Sequence, residues 1–184
     1  MSDVLNQNEA VDVVFTAETI AARLESLAQE IAALKLDPLL VVAVLTGSFV
    51  FAADLIRALN RAGLEPEVDF IALSSYRKNR VSRGSVDILR DMEMDVAKRN
   101  VLLIDDVLDS GRTLAFAKDL IAARGAKSIH TCVLLNKKTP RAVNVAADFR
   151  AFDCGEEFMV GYGMDVAHRY RELPYVGRII MRTS

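Results

Sequence analysis

Two apolar strands, each followed by a turn and a helix, constrain the fold of this chain most strongly. Residues 39–45 form the run LLVVAVL, which ends in the turn TGS and the helical pattern FVFAADLIRALNRAG. The segment NVLLID at 100–105 repeats this order, with the loop DDVLDSGRT and a helical pattern over 113–124. Apolar strands separated by helices are typical of parallel sheets with right-handed crossovers and both faces covered. The sequence therefore predicts an α/β fold, in which a parallel twisted sheet is flanked by helices.

The remaining segments add elements around this sheet. Residues 16–34 predict an amphipathic helix with Thr16 as its N-cap, and 67–76 and 128–136 predict further strands. We interpret 77–92 as a mobile loop between strands, because polar and basic residues replace any core periodicity. Shorter strand-like pieces follow residue 140. We expect a single domain over 1–184, with a core at about 37–140 and a small cap, or hood, formed by the N-terminal segment and about 150–184.

Composition limits the classes of partner. A chain of 184 residues fits one domain and can bury roughly 70% of its unfolded surface. The formal charge of −2 gives no electrostatic reason to expect a nucleic-acid partner. The longest fully apolar run has seven residues, far short of the roughly 20 that a membrane helix requires. We therefore expect neither nucleic acid nor a membrane as a partner.

The cysteines and the N-terminus indicate the compartment. Cys132 and Cys154 lie far apart in the sequence without a second pair, which suits neither a zinc site nor a disulfide framework, so we expect two buried thiols. The N-terminal residues lack the basic start and apolar core of a signal peptide. These observations predict a cytoplasmic protein.

The stretch VLLIDDVLDSGRTL carries the strongest chemical signal. Ser110, Gly111, Arg112 and Thr113 offer backbone N–H groups at the first turn of a helix, where an anion is stabilised. The preceding acids, Asp105 and Asp106, can accept hydrogen bonds from vicinal hydroxyls or hold Mg²⁺ through water. A ribose 5-phosphate satisfies both halves of the stretch.

Alternative interpretations of this stretch explain less. A Walker phosphate loop needs a Gly-Lys-Ser/Thr ending, which is absent, and the Asp-x-Asp spacing of haloacid-dehalogenase phosphatases does not match Asp106 and Asp109. The acid pair alone could be a solvated strand end, and Asp109 alone could cap the helix. Ligands of open parallel sheets lie beyond the carboxyl ends of the strands, where both TGS and DDVLDSGRT fall. We therefore favour a site that both loops share.

The stretch resembles the signature of the type I phosphoribosyltransferases, which bind phosphoribosyl pyrophosphate (PRPP). The resemblance covers about residue 39 to the C-terminus and is closest to the 6-oxopurine (hypoxanthine-guanine) branch. It implies the type I fold with its hood, and Mg²⁺ as cofactor, with Asp105, Asp106 and Asp165 near the metal. It also implies a homodimer or homotetramer.

The family's pyrophosphate loop matches LTGSFVFAADL. The resemblance implies that Thr46, Gly47 and Ser48 bind pyrophosphate through backbone N–H groups and that the Leu45–Thr46 peptide is cis. Arg171, in RYREL, matches the pyrophosphate-contacting arginine of the family. Many relatives carry Lys or Arg where this chain has Thr46, so this loop has one positive charge fewer.

Three further segments match the base-binding side of the family. LLNKKTPR implies that Lys137 contacts the 6-oxo group of the purine. FMVGYGMD implies that Phe158 stacks on the base, that Met159 offers backbone groups to it and that Asp165 lies near its exocyclic position. Ser75 and Tyr76 match the Ser-Tyr pair of the flexible lid, and Asp109 matches the proton partner of purine N7.

The implied activity is purine salvage: Mg²⁺-dependent transfer of ribose 5-phosphate from PRPP to N9 of hypoxanthine or guanine. A preference for xanthine, adenine or a pyrimidine stays open, as does a regulatory protein that keeps the fold and binds nucleic acid. Neither His130 nor His168 lies in a matched motif, so we assign them no role. We expect the basic residues after Tyr76 to accompany a polyanionic substrate rather than nucleic acid.

Overall fold

Nine strands and three helices make up the described part of the chain. The computed structural model describes residues 9–75 and 86–181. Tyr76 and the basic residues that follow it lie outside these ranges. The elements are β1 (Glu9–Phe15), α1 (Ala17–Ala32), β2 (Leu39–Leu45), α2 (Phe49–Arg61), β3 (Glu67–Ser75), β4 (Val86–Arg90), β5 (Asn100–Leu108), α3 (Arg112–Ala123), β6 (Ser128–Lys137), β7 (Phe149–Cys154), β8 (Met159–Val160) and β9 (Val176–Met181).

A six-stranded sheet in the order β4-β3-β2-β5-β6-β7 forms the larger layer. Every neighbouring pair in it is parallel except β3 with β4. The predicted α/β class and its helix-flanked parallel sheet are thus confirmed. In the centre, Ala43 of β2 pairs with Ile104 of β5. Because this register aligns the carboxyl ends of the two strands, the loops that follow them are neighbours.

Residues of β2 alternate between two apolar cores, which explains why this strand is apolar throughout. Val41 and Ala43 pack on the side that holds the buried residues of α1 and α2. Val42 and Val44 pack on the other side, with the buried residues of α3. Thr16 caps α1 as predicted, since its side chain accepts a hydrogen bond from the Thr19 N–H at 3.2 Å. The central strands therefore have no solvent-facing side and form a rigid base for their loops.

The chain ends form a second, three-stranded sheet in the order β1-β9-β8, which confirms the predicted cap. Its strands are antiparallel, with Val11 opposite Ile179 and Met159 opposite Arg178. The expected hood boundary near residue 150 falls within β7, and β7 pairs with β6 in the larger sheet. The C-terminal part of the cap therefore starts after Cys154.

The sequence failed to predict β4. We expected a loop over 77–92, but Val86–Arg90 is a strand that pairs antiparallel with β3, with Ser75 opposite Val86. Four of its five residues are exposed because it lies at the sheet edge, so it lacks the apolar alternation that marks a half-buried strand. The side chains of an edge strand need not face a core, and here their polarity concealed the element.

Cysteine burial differs between the two thiols. Cys132 is buried as predicted, whereas Cys154 at the end of β7 is only partly buried. Burial raises the pKa of both thiols, so neither is an activated nucleophile. Within 9–75 and 86–181, no helix combines the length and the apolar character needed to cross a membrane.

We predict that Asp69 stabilises the connection from β4 to β5. Its buried carboxylate accepts hydrogen bonds from the backbone N–H groups of Glu93 and Met94, both at 2.8 Å. Asp69→Ala leaves these donors without their acceptor, so the free energy of unfolding should fall by about 2–4 kcal/mol in urea denaturation. Asp69→Asn keeps one acceptor oxygen and should lose less. An alanine variant as stable as the wild type would contradict this role.

Candidate active site

A cavity of about 310 Å³ lies at the carboxyl ends of the central strands and is closed on one side by the cap. Five chain segments contribute to it: the loop after β2, β3 at Leu73, the end of β5 with the turn into α3, the end of β6, and the residues around β8. It brings together twelve of the predicted site residues: Thr46, Gly47, Asp105, Asp106, Asp109, Ser110, Gly111, Thr113, Lys137, Phe158, Met159 and Asp165.

The acid pair lies at the floor of this cavity. Asp105 is buried and Asp106 is half-buried, and the Asp106 N–H donates to Asp105 Oδ1 at 3.0 Å. Burial raises the pKa of both carboxyls, and the negative charge of Asp106 raises the pKa of Asp105 further. The positive charge of Arg171 acts in the opposite direction on Asp106. A pair of acids in this environment is stabilised by a cation or by hydroxyl donors, which is typical of a binding site.

The loop after β2 rests directly on this pair. A Cβ atom added to Gly47 would lie 1.7 Å from Asp106 Oδ2, so only glycine allows this approach. The Leu45–Thr46 peptide is cis, which confirms the prediction from the resemblance. Ser48 is buried and does not line the cavity, because its hydroxyl donates to the Val44 carbonyl oxygen at 2.5 Å. Any ligand contact from Ser48 would therefore come from its backbone.

The predicted phosphate turn forms the start of α3. Gly111 precedes the helix with a φ of +81°, a conformation that favours glycine. A Cβ at this position would also lie 2.8 Å from the Val143 carbonyl oxygen. Gly111 has no side chain that could cap the helix, and the Arg112 N–H makes a long contact of 3.5 Å with Ser110 Oγ. The N–H groups of the first turn can therefore be used by an anion. Arg112 is exposed and does not line the cavity.

The predicted base contacts come from the end of β6 and the residues around β8. Lys137 is only 12% exposed, and its Nζ lies 3.8 Å from Asp109 Oδ2. Phe158 lines the cavity while 49% exposed, so its ring is available to a planar ligand rather than packed in the core. Met159 is buried beside it. A cation, an exposed aromatic ring and a carboxylate thus surround one end of the cavity.

Asp165 and Arg171 form an ion pair at the edge of the site. Arg171 Nη2 lies 2.9 Å from Asp165 Oδ1, and Arg171 Nη1 donates to the Gly163 carbonyl oxygen at 2.6 Å. The other oxygen of Asp165 accepts the His168 N–H at 2.7 Å. Both Asp165 oxygens therefore have protein partners, and Arg171 does not line the cavity.

The predicted metal ligands do not form an all-protein cluster. Within the described ranges, no three or more His, Cys, Asp or Glu side chains are placed to hold an ion together. The hard oxygen atoms of Asp105 and Asp106 still suit Mg²⁺, which is commonly bound by one or two carboxylates together with substrate phosphates. The acid pair therefore fits a metal that arrives with its substrate.

The sequence predicted no role for some of the cavity residues, although one of them, Met164, lies within the matched segment FMVGYGMD. Leu73 of β3 and Met164 after β8 line the cavity, and both look like ordinary core residues in the sequence.

Ser75 ends β3, and its backbone pairs with Val86. Tyr76, its predicted partner in the lid, lies outside the described residues. His168 is almost fully exposed, with its side chain 94% accessible, and lies outside the cavity lining.

Comparison with known proteins identifies the family. The sequence profile described as "Phosphoribosyl transferase domain" matches residues 11–167. The chain belongs to the phosphoribosyltransferase family. Its catalytic class is therefore that of a phosphoribosyltransferase, as the DDVLDSGRT loop predicted.

Individual relatives place this phosphoribosyltransferase more closely. It is 39% identical to the hypoxanthine phosphoribosyltransferase of Buchnera aphidicola subsp. Schizaphis graminum over 175 residues, covering 94% of this chain and 97% of the relative. It is 37% identical to the hypoxanthine-guanine phosphoribosyltransferase of Dictyostelium discoideum, covering 91% and 94%. The crystal structure of a hypoxanthine-guanine phosphoribosyltransferase from Bacillus anthracis superimposes with a TM-score of 0.84 at 35% identity, covering 94% of this chain and 100% of that one. The predicted family and fold are confirmed.

We predict that the buried Asp105 destabilises the fold at neutral pH. Its folded-state pKa is raised, so the native state binds the proton more tightly than the unfolded chain does. The free energy of unfolding should therefore fall as pH rises from the unfolded-state pKa, about 3.9, through the raised value. In EDTA buffer at pH 8, Asp105→Asn should raise the melting temperature by about 2–4 °C for each 1 kcal/mol relieved. This gain should vanish near pH 4.

Asp91→Asn is a control for which we expect the opposite change in stability at neutral pH. The bond to Arg124 lowers the pKa of Asp91, so this substitution should lower stability at neutral pH and have less effect in acid. Melting temperatures across pH 4–8 report both variants. A loss of stability in Asp105→Asn at every pH would show that burial of the charge does not dominate.

Proposed function

We propose that this phosphoribosyltransferase transfers ribose 5-phosphate from PRPP to N9 of hypoxanthine or guanine. The products are IMP or GMP and pyrophosphate. One observation carries the proposal: a single cavity brings together the start of α3, the acid pair, a lysine and an exposed aromatic ring. The hypoxanthine and hypoxanthine-guanine enzymes among its relatives support the same substrate class.

The sugar phosphate would bind at the β5–α3 junction. The N–H groups and hydroxyls between Ser110 and Thr113 would hold the 5-phosphate, since a helix start favours negative charge. The ribose hydroxyls would donate to Asp105 and Asp106. Burial by the fold already removes part of the water around these acids, so a hydroxyl donor displaces less water there.

The purine would occupy the end formed by β6 and the cap. Lys137 would donate to the 6-oxo group, and Phe158, which is exposed at the cavity, would stack on the ring. The backbone of Met159 and the carboxylate of Asp165 would meet the edge that carries the exocyclic group. An amino group at position 6 cannot accept a hydrogen bond from Lys137, so this contact favours a 6-oxopurine.

The leaving group would lie against the loop after β2. The backbone amides of Thr46 to Ser48 and the guanidinium of Arg171 would stabilise the charge on pyrophosphate. Asp105 and Asp106 would hold Mg²⁺ beside it, with Asp165 at the base side, and the bound ion would supply positive charge for the leaving pyrophosphate. Because Thr46 carries no charge, the backbone amides and Arg171 would provide more of the stabilisation of pyrophosphate in this chain than in relatives with Lys or Arg at this position.

Asp109 would handle the proton of the purine. It follows directly after β5, and its Oδ2 lies 3.8 Å from Lys137 Nζ. Its carboxylate would accept the proton from N7 as N9 attacks the anomeric carbon and the bond to pyrophosphate breaks. The transition state resembles an oxocarbenium ion, and closure of the Ser75-Tyr76 lid would keep water from it.

The cellular setting follows from the substrates. PRPP and purines are small intracellular metabolites, so we place the activity in the cytoplasm. From the family we propose a homodimer or homotetramer, which light scattering of the purified enzyme would establish.

A purine panel tests the proposed function. Turnover with PRPP is measured for hypoxanthine, guanine, xanthine and adenine, each with Mg²⁺ and again with EDTA. We expect turnover with hypoxanthine and guanine that EDTA abolishes. Turnover with xanthine alone would favour the alternative specificity, and no turnover with any base would refute the proposal.

We predict that Asp109→Asn lowers kcat by roughly 10²- to 10⁴-fold, the range for loss of a positioned acid-base group. The KM for PRPP should stay within about threefold, because the sugar phosphate contacts other residues. Steady-state kinetics with saturating hypoxanthine measure both constants. Unchanged turnover would remove Asp109 from the proton transfer.

We predict that Lys137→Ala relaxes the preference for 6-oxopurines over adenine by about 10- to 100-fold in kcat/KM, the effect of losing one charged hydrogen bond. Lys138→Ala is the matched control, because Lys138 is exposed and pairs with Asp153 on the surface. Kinetics with hypoxanthine and adenine give the ratio for each variant. A retained preference in Lys137→Ala, or equal effects at both lysines, would contradict the assigned contact.

A further inference from the structure

Met159, Met164 and Asp165 line the side of the cavity that we propose binds the purine, here called the base-side wall. A tight turn joins the chain segments before and after residues 162 and 163 in this wall. Gly161 and Met164 exchange backbone hydrogen bonds of 3.0 and 3.1 Å. The two residues between them, Tyr162 and Gly163, have φ values of 50° and 99°, as the corners of a type I′ turn require. Met159 before the turn lines the cavity, as do Met164 and Asp165 after its corners. The position of this turn therefore sets the position of the wall.

Tyr162 is an unusual residue for the first corner. Asn, Asp or Gly commonly occupies it, because a bulky side chain at positive φ is disfavoured. Here the ring is 5% exposed within the core, and its hydroxyl donates to Asp54 Oδ2 at 2.5 Å. Burial and this bond raise the pKa of the phenol, which therefore remains a donor at physiological pH. The disfavoured conformation is held by a buried anchor.

The hydrogen bond to Asp54 connects the turn to the side of the site where we propose that the leaving group binds. Asp54 belongs to α2, the helix that begins directly after the loop at Thr46 to Ser48. Gly163, the second corner, packs against this loop: a Cβ there would lie 2.5 Å from the Gly47 carbonyl oxygen. The Gly163 carbonyl oxygen also accepts from Arg171. One turn thus contacts both proposed pyrophosphate-binding groups while its arms carry proposed purine contacts.

We propose that Tyr162 is a positioning residue, whose hydrogen bond to Asp54 fixes the base-side wall against α2 and thereby sets its distance from the pyrophosphate loop. What the base-side wall and the pyrophosphate loop bind rests on the proposed function. The mechanical link between these two parts does not rest on it. Tyr162 does not line the cavity. It acts through Gly163 on the pyrophosphate loop, and through Met164 and Asp165 on the base-side wall.

Hydrogen exchange tests the link without any substrate. Tyr162→Phe removes one hydroxyl and keeps the ring, and Tyr175→Phe is the matched control for the same change elsewhere in the cap. Loss of a hydrogen bond worth about 1 kcal/mol should speed exchange roughly fivefold in peptides covering both 159–166 and 44–50. Faster exchange in 159–166 alone, or in neither peptide, would overturn the coupling.

Kinetics test the consequence for the reaction. Tyr162→Phe and Asp54→Ala should each raise the KM for the purine about three- to tenfold, with kcat within about twofold. The double variant should be no worse than either single one, since both remove the same bond. Asp54→Asn keeps an acceptor oxygen and should restore most of the wild-type KM. Arg57→Met removes the other partner of Asp54 and should leave KM near the wild-type value.

The two measurements separate the possible failures. A purely structural role would lower the melting temperature and leave KM unchanged, and that result would overturn the proposal, as would additive effects in the double variant. If the wild-type enzyme transferred no ribose phosphate to any purine, the proposed function would fail. The exchange experiment would still decide whether Tyr162 links the base-side wall to the pyrophosphate loop.

Discussion

The parallel pairing of β2 with β5 is the constraint on which the site depends. This register places Ala43 beside Ile104 and leads both strands out of the sheet at the same edge. The loop after β2 then reaches Asp106 so closely that only a glycine fits at position 47. The apolar residues of both strands are buried on each side of the sheet, so the strands cannot shift without disrupting two cores. The separation of the two loops is therefore fixed before any ligand binds.

This arrangement opposes stability locally. Two neighbouring carboxylates are desolvated at the end of β5, and burial raises the pKa of each. Buried charges of like sign persist only where the surrounding structure tolerates them, and functional sites commonly carry this penalty. Arg171 provides the compensating charge for Asp106, but it is also held by Asp165 and Gly163. Protein groups thus balance the negative charge of the acid pair only in part, which suits substrates that bring a cation with them.

The sequence predicted what is local and apolar, and missed what depends on distant contacts or exposure. The strand-loop-helix units and the DSGRT turn are contiguous, so spacing and residue type were sufficient. Edge strand β4 was missed because its exposed side chains follow no apolar pattern. The exposure of Phe158 and the partial exposure of Cys154 depend on how the cap is placed. The bond from Tyr162 to Asp54 joins residues 108 positions apart, and no motif signals it.

The division of the site between sheet and cap has a consequence for the leaving group. The proposed phosphate turn, the acid pair and Lys137 belong to the sheet, whereas the other proposed purine contacts and Arg171 belong to the cap region. A guanidinium has five N–H donors, so in the proposed function Arg171 would contact pyrophosphate while Nη2 stays 2.9 Å from Asp165 Oδ1 and Nη1 donates to the Gly163 carbonyl oxygen. Because Asp165 lines the cavity, a shift of Arg171 toward bound pyrophosphate would be transmitted to a carboxylate at the proposed purine end. In a chain whose Thr46 offers no charge, the ion pair between Arg171 and Asp165 would be a direct route by which the two ends of the cavity influence each other in the proposed function.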